Sequence, residues 1–275
     1  MTPETAYWIF AAFAGLFGLL FGSFLNVCVA RMPLDRSVVF PSSHCPACGA
    51  AIRPYDNVPV LAWFWLRGRC RDCKSPISGL YPTMEALMGV FAVLLFRRVM
   101  PDLADVDQAH LFAYAWYFWL LFALVGLTFI DLRHQIIPDP FSIYSVPVGV
   151  GGAALLHWLG YTHGPTWQES AVGAVCGAGV LLLVAGAYWL VRRQEGMGLG
   201  DAKLLALIGS YFGAYPGTLY ILLIGATAGA VTGSTLLLVQ RRGLRSPLPF
   251  GPFLALGSVV WLFFGDVLWR RIGLG

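Results

Sequence analysis

Charge is what this chain has least of. Only 12% of its 275 residues are Asp, Glu, Lys or Arg, against about 25% in an average soluble domain. The hydrophobic share is 58%. The few charges sit in short islands between long apolar blocks, which excludes a soluble globular protein and describes a polytopic membrane protein. No positive side chain stands between Met1 and Tyr7, ahead of the first apolar run. That run is long enough to span, so it reads as a retained first helix rather than a secretory signal. No strand–glycine-loop–helix unit of the dinucleotide-binding kind is present, and no nucleic-acid partner is expected.

Cysteine is scarce too, with six in all. Cys28 and Cys176 lie in apolar runs and read as small hydrophobes. The other four form two C-x-x-C pairs, Cys45/Cys48 and Cys70/Cys73. Paired knuckles of this kind point to a metal in a reducing compartment, not to a disulfide frame. Four thiolates suit tetrahedral zinc, and a closed site of that type is structural because no position is left for water.

Eight apolar segments follow one another. The first runs from about Tyr7 to Ala30, with Gly15, Gly18, Gly22 and Ser23 suited to close packing and Asn26 in want of an interhelical partner. Residues 31–80 form the one sizeable polar domain, turn-rich and basic, and too small for a large core without a metal staple. Segment two (82–99) carries Glu85, a candidate for a methyl-transfer role or a simple polar contact. Segment three (110–130) ends on Asp131. Segment four (141–159) holds Pro147 inside it, where a kink is expected. Segment five (170–191) precedes a glycine-rich loop, segment six (202–214) is short, and Tyr215-Pro216-Gly217 turns the chain. Segment seven (218–239) has Gly225, Gly229 and Gly233 at small-xxx-small spacing. Pro249-Phe250-Gly251-Pro252 opens segment eight. The expected fold is therefore all-α and polytopic: about eight transmembrane helices with a small zinc-binding cytoplasmic domain between helices one and two. The expected domains are 1–30, a first transmembrane helix; 31–80, the zinc domain; and 81–275, a seven-helix membrane domain.

Threading eight spans with the cysteine domain inside puts 14 of the 18 Lys and Arg on the cytoplasmic side, as the positive-inside rule asks. Asp131 and Asp201 then fall on the same face at the same depth. Two such acids can form a dyad that shares one proton, with one carboxylate activating water and the other donating to a carbonyl oxygen. The alternative is two unrelated interfacial acids that cap helices or pair with Arg133 or Lys203. Asp139, between two prolines, is the rival acid and is expected instead to cap segment four. Glu195 is expected to position the loop or bind Lys203. Gly198 and Gly200 would let the backbone turn with positive φ or approach a neighbour closely.

At these residues a specific resemblance appears. Phe21-Gly22-Ser23-Phe24-Leu25-Asn26-Val27, Arg31-Met32-Pro33, the cysteine pairs with Leu66-Arg67-Gly68-Arg69-Cys70-Arg71, and Tyr81-Pro82-Thr83-Met84-Glu85 resemble the type IV prepilin peptidases. So do Asp131 with Ile137-Pro138-Asp139, and Glu195-Gly196-Met197-Gly198-Leu199-Gly200-Asp201-Ala202-Lys203-Leu204. The resemblance covers most of the chain. It implies a G-x-G-D aspartic membrane protease of type IV pilus and type II secretion systems. Asp131 and Asp201 would be catalytic, with Glu195, Gly198, Gly200 and Lys203 in the supporting loop. It implies cleavage of prepilins and pseudopilins after a Gly. Methylation of the new N-terminal residue would follow, with S-adenosylmethionine as donor and structural zinc as the metal. It implies a multi-pass protein of the bacterial inner membrane, with the zinc domain and active site facing the cytoplasm. The residues that bind S-adenosylmethionine are unassigned. A non-enzymatic scaffold or a transporter is the competing class, but a transporter should show broken helices and a midplane site.

Overall fold

The computed structural model describes residues 2–194, 198–240 and 249–271. Helices account for most of that length, and the described residues contain no β-sheet. The helices are α1 (Pro3–Arg31), α2 (Leu61–Trp65), α3 (Leu80–Val99), α4 (Gln108–His134), α5 (Val146–Trp158), α6 (Trp167–Arg192), α7 (Leu199–Phe212), α8 (Leu219–Gln240) and α9 (Gly251–Arg271).

Six helical stretches among the described residues are long and apolar enough to cross a bilayer. One of them, Leu199–Leu238, holds two helices. Between α7 and α8, Tyr215 is extended (φ −135°, ψ 137°) and Pro216 interrupts the ladder. All eight apolar segments of the sequence are thus helical. Two are short of a span: α5 has 13 residues and α7 has 14, about 20 Å each against a hydrocarbon core of about 30 Å. Segment four differs from its expectation. Its first part folds as the 3₁₀ turns Asp139–Phe141 and Ile143–Ser145, and α5 begins only at Val146. Pro147 therefore sits in the first turn of α5, where its missing N–H costs nothing, and not inside a kinked helix.

The chain divides into two compact units, Met1–Gly126 and Leu127–Gly275, with the boundary inside α4. In the first unit α1 lies along α3 so closely that a Cβ on Gly18 would stand 2.4 Å from the Met88 carbonyl oxygen. Phe17 and Phe21 of α1 meet Phe118 of α4 at ring distances of 5.0 and 5.4 Å. Asn26 finds the expected interhelical partners: its amide donates to the Tyr81 carbonyl (3.2 Å) and to Glu85 (3.4 Å). Glu85 in turn accepts the Val60 backbone N–H at 2.6 Å, so this buried carboxylate ties α1, α3 and the start of α2 together.

In the second unit α6 and α7 touch backbone to backbone. A Cβ on Gly209 would meet the Gly173 carbonyl oxygen at 2.0 Å, and the Ser170 hydroxyl donates to the Ser210 carbonyl. Without a hydrophobic driving force between helices in lipid, such small-residue contacts and interhelical hydrogen bonds carry the association. The α8–α9 pair repeats the device, with Gly257 against the Ile221 carbonyl.

Candidate functional site

Asp131 lies in the last turn of α4, 6% exposed and flanked by the buried Ile130. The helix ends at Gln135, whose positive φ of 55° turns the chain. The returning segment brings Ile137 onto the first turn of α7, where a Cβ on Gly200 would lie 3.1 Å from the Ile137 Cβ. Gly198 is the N-cap of α7 with extended backbone (φ −70°, ψ 137°), and Asp201 is its third residue. An acid there sits at the positive end of the helix dipole. Gly200 therefore serves close approach, and neither glycine adopts a positive φ.

The two acids, 70 positions apart in sequence, are brought to one neighbourhood by the start of α9, where Gly251 meets both Asp131 and Leu204, one turn beyond Asp201. Asp131 faces the start of α9. The Gly251 backbone N–H donates to Asp131 Oδ2 at 3.1 Å. A Cβ built on Gly251 would lie 2.6 Å from that oxygen and 3.6 Å from Leu204, one turn beyond Asp201. Water held between two carboxylates in such an apolar enclosure can be deprotonated by one while the other donates a proton.

Asp139 does not cap a helix with its side chain. Pro138 holds the N-cap position of the 3₁₀ turn, and the Asp139 carboxylate pairs with Lys203 Nζ at 2.6 Å. This ion pair, about two-fifths exposed on each side, links the loop after Asp131 to the first turn of α7. Lys203, which the sequence offered to Glu195, is thus engaged by Asp139. Glu195 itself lies outside the described residues. Reading the sequence missed Gly251 as a partner of Asp131. The Gly-Pro pair at a helix start was visible, but nothing local says which carboxylate it meets.

The cysteine site is built from two knuckles with matching backbone bonds. Cys45 N–H donates to Ala50 and Gly49 to Cys45; Cys70 donates to Ser75 and Lys74 to Cys70. The residue after the second cysteine has positive φ in both, 71° at Gly49 and 60° at Lys74. All four Sγ atoms lie within 4.8 Å of one another, and Cys45 and Cys73 are 3.8 Å apart. Tetrahedral zinc with Zn–S bonds of about 2.3 Å sets its sulfurs about 3.8 Å apart, so these residues fit the ion. The backbone N–H groups of Cys48 and then Ala47, with the Ser75 hydroxyl, pull the Cys45 thiol down to about 6, while against the Ala50 backbone N–H the neighbouring thiols keep that of Cys48 up at about 11. His44 points elsewhere, with Nδ1 on the Ser42 carbonyl.

Arg71, inside the second knuckle, grips Asp56 through two hydrogen bonds, Nε to Oδ2 at 2.7 Å and Nη2 to Oδ1 at 2.5 Å. It also covers the Tyr55 ring at 5.4 Å. The guanidinium holds the Asp56 carboxyl below the usual carboxylate range. A depressed folded value means stability that is complete above about pH 4, the unfolded value, and is lost as pH falls through the folded one. Asp56→Asn should lower the melting midpoint of the zinc-loaded protein at pH 7, and the gap to wild type should close on acidification below about pH 4. Thermal melts of both proteins across that range check it, and a gap that ignores pH would reject it.

Comparison with known proteins matches both parts of the chain to one family. Residues 16–99 match the bacterial peptidase A24 N-terminal domain, and residues 115–234 match the type IV leader peptidase family. The chain is 33% identical to a prepilin leader peptidase/N-methyltransferase of Aeromonas hydrophila, across 96% of this chain and 93% of that one. A protein of the same name from Burkholderia pseudomallei is 34% identical, across 95% and 88%. One from Myxococcus xanthus is 36% identical, across 96% and 76%. No solved structure matches.

Proposed function

The chain belongs to the type IV leader peptidase family, and from that premise we propose how its residues divide the work of cleaving prepilin leaders and methylating the new N-terminus. It is an aspartic endopeptidase with N-methyltransferase activity. Asp131 and Asp201 perform the cleavage. One carboxylate takes a proton from water as the oxygen adds to the scissile carbonyl, and the other protonates the carbonyl oxygen. Collapse of the tetrahedral intermediate breaks the C–N bond, and the leaving amine takes a proton from the dyad. The observation that carries this reading is the buried Asp131 bonded to Gly251 at the start of α9, with Leu204, one turn beyond Asp201, against the same glycine. Prepilin incubated with the purified protein should yield a leader-shortened product, and with S-adenosylmethionine a product heavier by one methyl group. No shortened product would reject the reading.

The Asp139–Lys203 pair and the Gly200–Ile137 contact support the dyad by holding α7 to the loop after α4. Cys45, Cys48, Cys70 and Cys73 hold a structural zinc within residues 31–80, between a first membrane helix (1–30) and a membrane domain (81–275). S-adenosylmethionine supplies the methyl group, and pseudopilins are substrates alongside prepilins. Rim acids suit a substrate whose polar leader stays in the cytoplasm while its apolar part lies in the bilayer.

The zinc domain and the acids face the cytoplasm, as the distribution of basic residues supports. Ser37→Cys should resist a membrane-impermeant maleimide applied from the outer side, and Asp105→Cys should react. The reverse pattern would overturn the orientation.

A further inference from the structure

Gly251 opens α9, and Pro252 follows it. The first N–H groups of a helix have no partner within it. Here that of Gly251 goes to Asp131 Oδ2 at 3.1 Å, while Pro252 has no N–H to compete. The neighbourhood is closed: Gly251 is buried, Asp131 is buried, and Leu204 of α7 lies against Gly251. A side chain at this position would have to displace the Asp131 carboxylate, because a Cβ would stand 2.6 Å from Oδ2.

We propose that Gly251 is a positioning residue of the peptidase, its backbone N–H fixing Asp131 as the proton-accepting member of the dyad. The inference rests on the assignment of Asp131 and Asp201 made above. An N–H can donate only to an oxygen that carries no proton along that direction. While it is in place it stabilises the ionised Asp131 carboxylate more than the protonated acid, which biases the shared proton of the dyad toward Asp201. The N-terminal end of the α9 dipole acts in the same sense. Titratable groups facing Asp131 from the neighbouring elements reduce to Asp201 of α7 among the described contacts. The bond therefore removes the symmetry of two like acids. It also sets the plane of the Asp131 carboxylate, so the direction in which it can receive a proton from water is decided by the start of α9.

Gly251→Ala tests this. An ordinary Cβ contact begins near 3.4 Å, so the 2.6 Å approach forces Oδ2 and Gly251 apart by about 0.8 Å. Misplacement on that scale costs roughly 10²-fold in rate. The expected result is kcat for prepilin cleavage down by about 10²-fold with KM within about threefold, the signature of an interaction used in the transition state. The pH–rate profile should also shift on its acid side. Gly257→Ala is the packing control, since its Cβ meets the Ile221 carbonyl at the same 2.6 Å on the same helix, away from the acids. It should lower the melting midpoint while leaving kcat per folded molecule and the pH profile as in wild type. Methylation of a peptide with a free N-terminus reports folding independently of cleavage and should survive in Gly251→Ala. Cleavage within threefold of wild type would overturn the inference. So would a loss of cleavage with an unchanged pH profile, or one matched by an equal loss of methylation. Asp131→Asn separates the two levels. Full cleavage by that variant removes the dyad itself, whereas a dead Asp131→Asn beside a fully active Gly251→Ala removes only the role of Gly251.

Discussion

Asp131→Asn and Asp201→Asn should each lower prepilin cleavage by at least the roughly 10²–10⁴-fold typical of lost acid–base catalysis. Asparagine keeps the shape of the side chain and removes proton transfer, so the loss reports chemistry rather than packing. At Asp131 it also keeps an oxygen that can accept the Gly251 N–H. The double variant should be little worse than either single one, because groups that act as a unit are not additive. Asp139→Asn should be mild by comparison, since the half-exposed pair with Lys203 orders a loop and touches no reacting atom. Methylation of a peptide that already has a free N-terminus should persist in all of them. Quantified leader removal under single-turnover conditions gives the numbers. Wild-type rates from Asp131→Asn would reject the assignment outright.

Loss of zinc should have the next largest effect. Metal analysis of freshly purified protein should find one zinc per chain, and Cys→Ser at Cys45, Cys48, Cys70 or Cys73 should bring it close to zero. Structural zinc in small modules contributes on the order of 10–16 kcal/mol of apparent binding energy, more than a module of about 50 residues can replace with its own core. The described core of this segment is thin: Ala62 is buried, and the Trp63 indole N–H reaches the Ile77 carbonyl at 3.1 Å. The domain should therefore become protease-sensitive within residues 35–80. Methyl transfer should fall. Cleavage should partly survive, because Asp131 and Asp201 belong to the second compact unit and the four cysteines to the first. Metal-free protein with a protease-resistant domain would sink the idea.

What the sequence determined by itself was whatever depends on period, length and ligand spacing. Long apolar runs in lipid must be helices because no water is there to satisfy the backbone, so all eight segments were legible, and so was the knuckle spacing that brings four sulfurs together. The convergence of Asp131 and Asp201 was readable as a common depth and no more. Tertiary structure alone decided who partners whom. Asp139 sits beside a proline that reads as a helix start, yet its carboxylate goes to Lys203, because the chain after α4 folds back onto α7. Pro147 lies in an apolar run, yet two 3₁₀ turns use up the residues before it. Gly251 reads as an ordinary helix opening, and only the packing of α9 brings its N–H to Asp131. Hydrogen bonds between elements far apart in the chain leave no periodic trace in a single sequence, since either partner would look the same with any other.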